Sequence, residues 1–258
     1  MTTVKYELDS HIAKITLDRP DALNAFNRAM YEDFNQAMER FRDDPEAWVA
    51  IVTGAGERAF SAGADVKELD AAIAEGERVG EGAYNEDVYN VAHARRCFTT
   101  KPIIAAIDGY CIGEGVAVAL YCDLRVCTDR AVFWVPEAKA GFPAVRIPAR
   151  AAQVMGLGPA MDLILLAERR DADWALRSGL VGKVVAPADL LKEAYKWAES
   201  LCSLSQEAVR AMKEVMIRSL DSPYEQAVEL GARHRGEIAG RDESAELRRA
   251  FLAAQRKN

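Results

Sequence analysis

The stretch DGYCIGEGVAVALYCD, residues 108–123, decides how this chain is read. The apolar run PIIAAI, residues 102–107, leads into it, and the small helix-compatible residues Val116 to Tyr121 lead out. Between them lies Gly113-Glu114-Gly115. The pattern predicts a strand, a tight glycine turn and a buried helix. Such a turn presents backbone N–H groups at a helix N-terminus, where the partial dipole is positive. That suits a phosphate, a carboxylate or a developing oxyanion.

A second turn of the same kind lies upstream. Trp48 to Thr53 reads as a buried strand, and Phe60-Ser61-Ala62-Gly63-Ala64-Asp65 is a small-residue turn followed by a helix over 66–74. Between them, Gly54-Ala55-Gly56-Glu57-Arg58-Ala59 formally matches the dinucleotide fingerprint. It fails on context, because residues 60–63 break the helix that must begin within the glycines. Residues 75–90 lack periodicity and read as a mobile loop over a site, and Val91 to Phe98 reads as a helix. At the N-terminus, residues 4–17 form two alternating strands broken at Asp9-Ser10-His11. Asn27 caps a helix to about Asp43, with Met30, Phe34, Ala37, Met38 and Phe41 at helical spacing.

Downstream, 124–128 and 131–134 read as short strands, and Pro136 to Arg150 as irregular. Helices over 149–155, 158–168 and 171–178 follow, with Gly179 as a C′ cap and a strand over 180–185. From Pro187 the chain is helical, over 187–202, 205–219, 223–239 and 242–256. Ser205 and Ser222 suit helix starts. This divides the chain into an α/β (α+β) body, 1–195, and an all-helical region, 196–258, that packs on the body or on neighbouring subunits. The order strand, strand, helix recurs with short connections. A doubly wound sheet would need a crossover helix after each strand.

Half of the 258 residues are apolar and the net charge is −7, with both signs scattered. The absence of a basic block excludes a nucleic-acid partner, and no apolar run is long enough to span a membrane. The charged N-terminus lacks the apolar core of a signal peptide. The cysteines, Cys97, Cys111, Cys122, Cys127 and Cys202, are odd in number with no CxxC pair. Reduced thiols in a cytoplasmic protein are expected. Cys122 and Cys127, with no nearby His, make a poor zinc site and read as buried small apolar residues.

Two turns aiming N–H groups at one point would make an oxyanion hole for a thioester or other carbonyl. Four segments sharpen this. ALNAFN (22–27), AFSAGADVKEL (59–69), KPIIAAIDGYCIGEG (101–115) with YCDL (121–124), and VPEAKAGF (135–142) resemble the crotonase, or enoyl-CoA hydratase/isomerase, superfamily. The resemblance implies a spiral of ββα units followed by a C-terminal helical region, assembled as a homotrimer or a dimer of trimers. It implies action on acyl-CoA thioesters with no metal and no cofactor, CoA being part of the substrate. Carried over by position, the oxyanion donors are the backbone N–H groups of Ala64 and Glu114. Ala62, Ala64, Asp65 and Val66 line the CoA path. Asp65 braces its loop. Arg19, Arg28 and Lys67 lie where CoA phosphates pass, though solvated surface charge is the simpler reading of each.

The resemblance also implies two glutamates holding one water. Here one position is Glu137 and the other is Ala117. Glu114 replaces the middle glycine of the turn, and Phe142 to Pro148 replaces a glycine-rich segment. Hydration needs a base for water and an acid for Cα, whereas one carboxylate can move a proton between Cα and Cγ. Glu137 with Ala117 therefore favours a Δ3 to Δ2 enoyl-CoA isomerase, or an atypical enoyl-CoA hydratase, over a standard hydratase. A hydrolase or decarboxylase on the same fold, or a non-catalytic scaffold, are the alternatives. Glu114 is expected to point its side chain outward, because its N–H must face the ligand. Glu75, Glu77, Glu81, Glu86 and Asp87 are further carboxylates that a closing loop could deliver. His93 reads as structural, and His11 and His234 have no supporting context.

Overall fold

A computed structural model describes residues 2–75, 99–144 and 146–255. Of the expected loop over 75–90, residues 76–90 lie outside the described residues, as does the expected helix over 91–98 with His93 and Cys97.

Strands β1 (Val4–Asp9) and β2 (Ile12–Leu17) form the expected antiparallel hairpin. Its turn places Ser10 and His11 at φ 50° and 68°. Helix α1 (Arg28–Asp43) begins at Asn27, whose side chain accepts from the Met30 N–H at 3.0 Å. It buries Met30, Phe34, Met38 and Phe41, the face the spacing predicted.

The strand-strand-helix unit then recurs. It runs through β3 (Val49–Gly54), β4 (Ala59–Ser61) and α2 (Val66–Ala74), then β5 (Ile103–Ile107), β6 (Tyr110–Ile112) and α3 (Glu114–Tyr121). A third turn comprises β7 (Leu124–Thr128), β8 (Val132–Trp134) and α4 (Arg146–Met155). The first strand of each unit joins a six-stranded sheet ordered β1-β2-β3-β5-β7-β10, where β10 is Lys183–Val185. The second joins a four-stranded sheet ordered β4-β6-β8-β9, where β9 is Arg170–Asp171. Within each unit the chain advances one place in both sheets, so the connections stay short and the pairs β3–β5–β7 and β4–β6–β8 are parallel. This is the expected spiral.

Sequence pattern missed β4, β6 and β9. Runs of two or three residues are too short to show alternation, and pairing with β4 and β8 is what makes β6 a strand. Helix α4 starts at Arg146, earlier than expected. Pro148 lies in its first turn, where the missing N–H costs no hydrogen bond. Between α4 and β10 lie α5 (Leu157–Leu165) and α6 (Ala172–Arg177).

The main core fills the space among the sheets, α1, α3 and α4, with Phe26, Phe34, Phe41, Phe60 and Phe133 fully buried. The other face of the large sheet is covered by α7 (Leu190–Cys202) through Leu190, Ala194 and Ala198. Helix α8 (Gln206–Arg218), capped by Ser205, is tied to the body by Lys213, which bonds Asp123 and the Lys101 carbonyl at 2.7 Å each. Helices α9 (Tyr224–Ala239) and α10 (Asp242–Gln255) complete the chain. No helix among the described residues is long and apolar enough to cross a membrane.

Two polar clamps hold the strand ends that carry the turns. Asn24 is fully buried at φ 55°, accepts from the Arg19 N–H at 2.9 Å, and donates to the carbonyls of Ala55 and Ala59 at 2.9 and 2.8 Å. Asn24→Ala leaves these groups buried and unpaired, so a loss of about 2–4 kcal/mol in unfolding free energy is expected by denaturant titration. Asp108 accepts from Thr128 at 2.8 Å and from two Arg130 nitrogens at 2.8 and 2.6 Å. Burial works to raise this carboxyl, but the Arg130 and Thr128 hydrogen bonds outweigh it and hold it below 3.8. A depressed carboxylate contributes stability above its unfolded value and loses it as pH falls through its folded value. Asp108→Asn should therefore lower Tm at neutral pH, and the gap from wild type should close below about pH 4.

Candidate active site

The two glycine turns meet. They sit at the ends of the paired strands β4 and β6, so one sheet register delivers both. Gly63, at φ 95°, and Gly113, at φ 49° and ψ −114°, adopt backbones that L side chains rarely reach. A Cβ on Gly63 would lie 2.9 Å from the Ile112 carbonyl oxygen and 3.6 Å from the Glu114 nitrogen. A Cβ on Gly113 would lie 3.8 Å from the Gly63 Cα. Only glycines allow the backbones of Ala64 and Glu114 to approach this closely.

The upstream turn is held by its neighbours. Gly63 N–H donates to Ser61 Oγ at 3.2 Å, and Asp65 N–H to the Phe26 carbonyl at 2.9 Å. The Asp65 carboxylate pairs with Arg19 Nη2 at 3.2 Å, while Arg19 Nη1 donates to the Ala25 carbonyl. Asp65 and Arg19 thus tie α2's entry to the loop after β2. Arg28 donates its backbone N–H to Glu68 at 3.0 Å, and Lys67 is exposed. Ala62 and Ala64 are half-buried and Val66 is exposed, leaving one side of the turn open.

Glu137 arrives from the next unit. It follows β8 by way of Val135 and Pro136, and Gly113 N–H donates to the Trp134 carbonyl at 2.9 Å, which fixes β8 against the turn. The Glu137 Oε1 would lie 3.0 Å from a Cβ on Gly113. Its Oε2 is buried and has no hydrogen-bond partner among the described residues. Burial pushes this carboxyl above 4.5; its own backbone N–H opposes the rise, and the charge of Glu114 adds to it. A buried carboxyl with one oxygen unpaired is held ready to carry a proton.

Glu114 departs from the expected outward direction. Its carboxylate turns inward, is 14% exposed, and pairs with Arg146 Nη2 at 3.3 Å. It also interacts with Tyr31 of α1, which is buried. The side chain and the N–H leave the backbone in different directions, so one can enter the protein while the other faces a ligand. Burial raises the Glu114 carboxyl, and Arg146 and Tyr31 oppose it. Ala117, one turn along α3, is buried and carries no polar group.

Arg146 and Tyr31 were not singled out by sequence reasoning. The lone charge within FPAVRIP was the available signal for Arg146; Tyr31 falls between the apolar positions of α1 and gives none. Phe142, expected to reshape the pocket, is 39% exposed. Glu75 is exposed, and Glu77, Glu81, Glu86 and Asp87 lie outside the described residues. His11 stacks on Trp48 at 3.7 Å, and His234 sits 3.3 Å from Glu214. Both lie apart from the glycine turns in this arrangement of contacts. Among the described residues, no group of three or more His, Cys, Asp or Glu side chains forms a metal centre.

Comparison with known proteins accords with this arrangement. A family model described as enoyl-CoA hydratase/isomerase matches residues 7–257. The short-chain-enoyl-CoA hydratase of Clostridium acetobutylicum is 32% identical over 254 residues, covering 98% of this chain and 95% of that protein. The carnitinyl-CoA dehydratase of Escherichia coli is 37% identical over 227 residues, covering 84% and 80%. The crystal structure of an enoyl-CoA hydratase/isomerase from Mycobacterium paratuberculosis superposes with a TM-score of 0.86 at 30% identity, covering 98% and 96%. The recurring ββα spiral, the paired glycine turns and these likenesses together place the chain in the enoyl-CoA hydratase/isomerase family, on the crotonase fold.

Proposed function

We propose that the chain transfers a proton at Cα of an enoyl-CoA thioester, with Glu137 as the acid/base and the N–H groups of Ala64 and Glu114 holding the enolate oxygen. Ala62, Ala64, Asp65 and Val66 line the CoA path. The observation that carries this reading is the position of the Glu137 carboxyl against Gly113, where the two turns meet. Charge that develops on a thioester oxygen at that point is stabilised by fixed N–H dipoles.

Hydration of a 2-enoyl-CoA is the reading best supported. Glu114, 14% exposed and paired with Arg146, keeps a second carboxylate within the protein next to the Gly113 turn. The named activities of the hydratase and dehydratase relatives support the same direction. A Δ3 to Δ2 shift is the second reading, favoured by Ala117 in the position of the other glutamate. An absorbance assay over 2-enoyl- and 3-enoyl-CoA esters separates them. Loss of the conjugated enoyl absorbance from the 2-enoyl ester is expected. Conversion of the 3-enoyl ester alone would select the shift.

Self-association through the helical region, residues 196–258, as a homotrimer or a dimer of trimers, belongs to the same reading. Met212, Met216, Tyr224, Val228, Phe251 and Leu252 are exposed on α8, α9 and α10, and such apolar surface favours burial against another subunit. Cys111, Cys122 and Cys127 are buried and unpaired, which supports a reducing, cytoplasmic setting.

A further inference from the structure

We propose that Tyr31 and Arg146 are positioning residues: by gripping the Glu114 side chain they hold the N–H groups of Ala64 and Glu114 at a fixed spacing. This role rests on the reading of those N–H groups as the cradle of a thioester oxygen. It gives the inward-turned Glu114 carboxylate a task that needs no contact with substrate.

The downstream turn has no brace of its own. Gly113 precedes α3 at φ 49° and ψ −114°, with no side chain to cap the helix. A peptide plane beside a glycine rotates more freely than one between residues that carry a Cβ. Rotation there would swing the Glu114 N–H away from a ligand. The Glu114 side chain supplies the missing restraint. Its carboxylate accepts from Tyr31 of α1 and from Arg146 Nη2 of α4, the latter at 3.3 Å. The two grips come from different helices, so they fix the Cα–Cβ bond of Glu114 and, with it, the orientation of the peptide that precedes it.

Tyr31 also reaches the upstream turn. Its ring packs against that of Phe26, with centroids 5.1 Å apart. Phe26 N–H donates to the Gly63 carbonyl at 2.7 Å, and the Phe26 carbonyl accepts from Asp65 N–H at 2.9 Å. These two bonds make a parallel bridge between Phe26 and Ala64. In a parallel bridge the bonds are made by the neighbours of the paired residue, so the N–H of Ala64 itself points to the opposite edge of its backbone. Tyr31 therefore contacts both the residue that brackets Ala64 and the residue that carries the other donor. The line Ala64, Phe26, Tyr31, Glu114 sets the donor spacing before any ligand arrives. Donors fixed in advance need no reorganisation when charge develops, and that is the source of an oxyanion hole's effect.

The test is Tyr31→Phe, which keeps the ring against Phe26 and removes only the hydroxyl. Turnover of the productive enoyl-CoA ester should fall by about 10- to 100-fold in kcat, the scale of a small misplacement, with KM changed by less than about twofold. Arg146→Met, at a half-buried position, is a second variant with the same expected result. Infrared difference spectra of bound butyryl-CoA, labelled with carbon-13 at the carbonyl, read the donors without turnover. The carbonyl band should lie below that of the free ester in the wild-type protein and move back towards it in both variants. A merely structural role would lower Tm and leave the band of the folded protein in place. A kcat within about twofold of wild type in either folded variant overturns the assignment, and so does an unmoved band. A wild-type band at the free ester's frequency would instead sink the oxyanion-hole reading on which the assignment rests.

Discussion

Glu137→Gln should reduce kcat on the productive enoyl-CoA ester by a factor of about 100 to 10,000, the range for loss of a positioned acid or base. Binding of the CoA ester should change little, because the amide keeps the size and much of the polarity of the carboxyl. Stability separates catalysis from unfolding. The Glu137 carboxyl is raised by burial and then by the Glu114 charge. A carboxyl with a raised folded value favours the native state most below its unfolded value of 4.5, and that contribution is lost as pH rises through the folded value. At neutral pH the wild-type protein has already lost it. The Gln variant has no such loss, so its Tm should equal or exceed that of wild type at pH 7 while its turnover collapses. A variant that lost activity and Tm together would point to a structural Glu137. Calorimetry beside the steady-state assay reads both quantities.

Gly113→Ala should be as damaging, by a different route. Gly113 occupies φ 49° and ψ −114°, a region costing roughly 1–3 kcal/mol for a residue with a Cβ. The added methyl would stand 3.0 Å from Glu137 Oε1 and 3.8 Å from the Gly63 Cα. Either the carboxyl swings away or the two turns separate. The first displaces the proposed acid and the second opens the proposed oxyanion hole. Removal of one oxyanion donor costs about 100- to 1,000-fold in kcat. We therefore expect at least that loss, with Tm lowered by several degrees, roughly what 1–3 kcal/mol implies for a chain of this size. Retention of more than about a tenth of wild-type kcat would show that the meeting of the turns is not needed for turnover.

Much of the architecture was legible because its signals are local. The Asn27 cap, the apolar face of α1, the Ser10-His11 turn and the helix starts at Val66 and Ser205 each depend on a few adjacent residues. Glycines marked both site turns for the same reason: their backbones need φ values that other residues resist. Pattern failed where structure depends on distant partners. β6 is a strand because β4 and β8 flank it, and its three residues carry no period of their own. The direction of Glu114 was misread because its partners, Tyr31 and Arg146, come from α1 and α4, and no spacing rule links residues 31, 114 and 146. The carboxylates of residues 76–90 were candidates from sequence, and the described structure does not reach them.

The proposed role of Glu137 is to move a proton at Cα of a thioester held beneath the Ala64 and Glu114 N–H groups. Deuterium uptake from heavy water into Cα of a bound acyl-CoA, followed by mass spectrometry, tests it without assuming the acyl group's later fate. Uptake is expected with the wild-type protein and none above the uncatalysed rate with Glu137→Gln. Equal uptake by both proteins would contradict it.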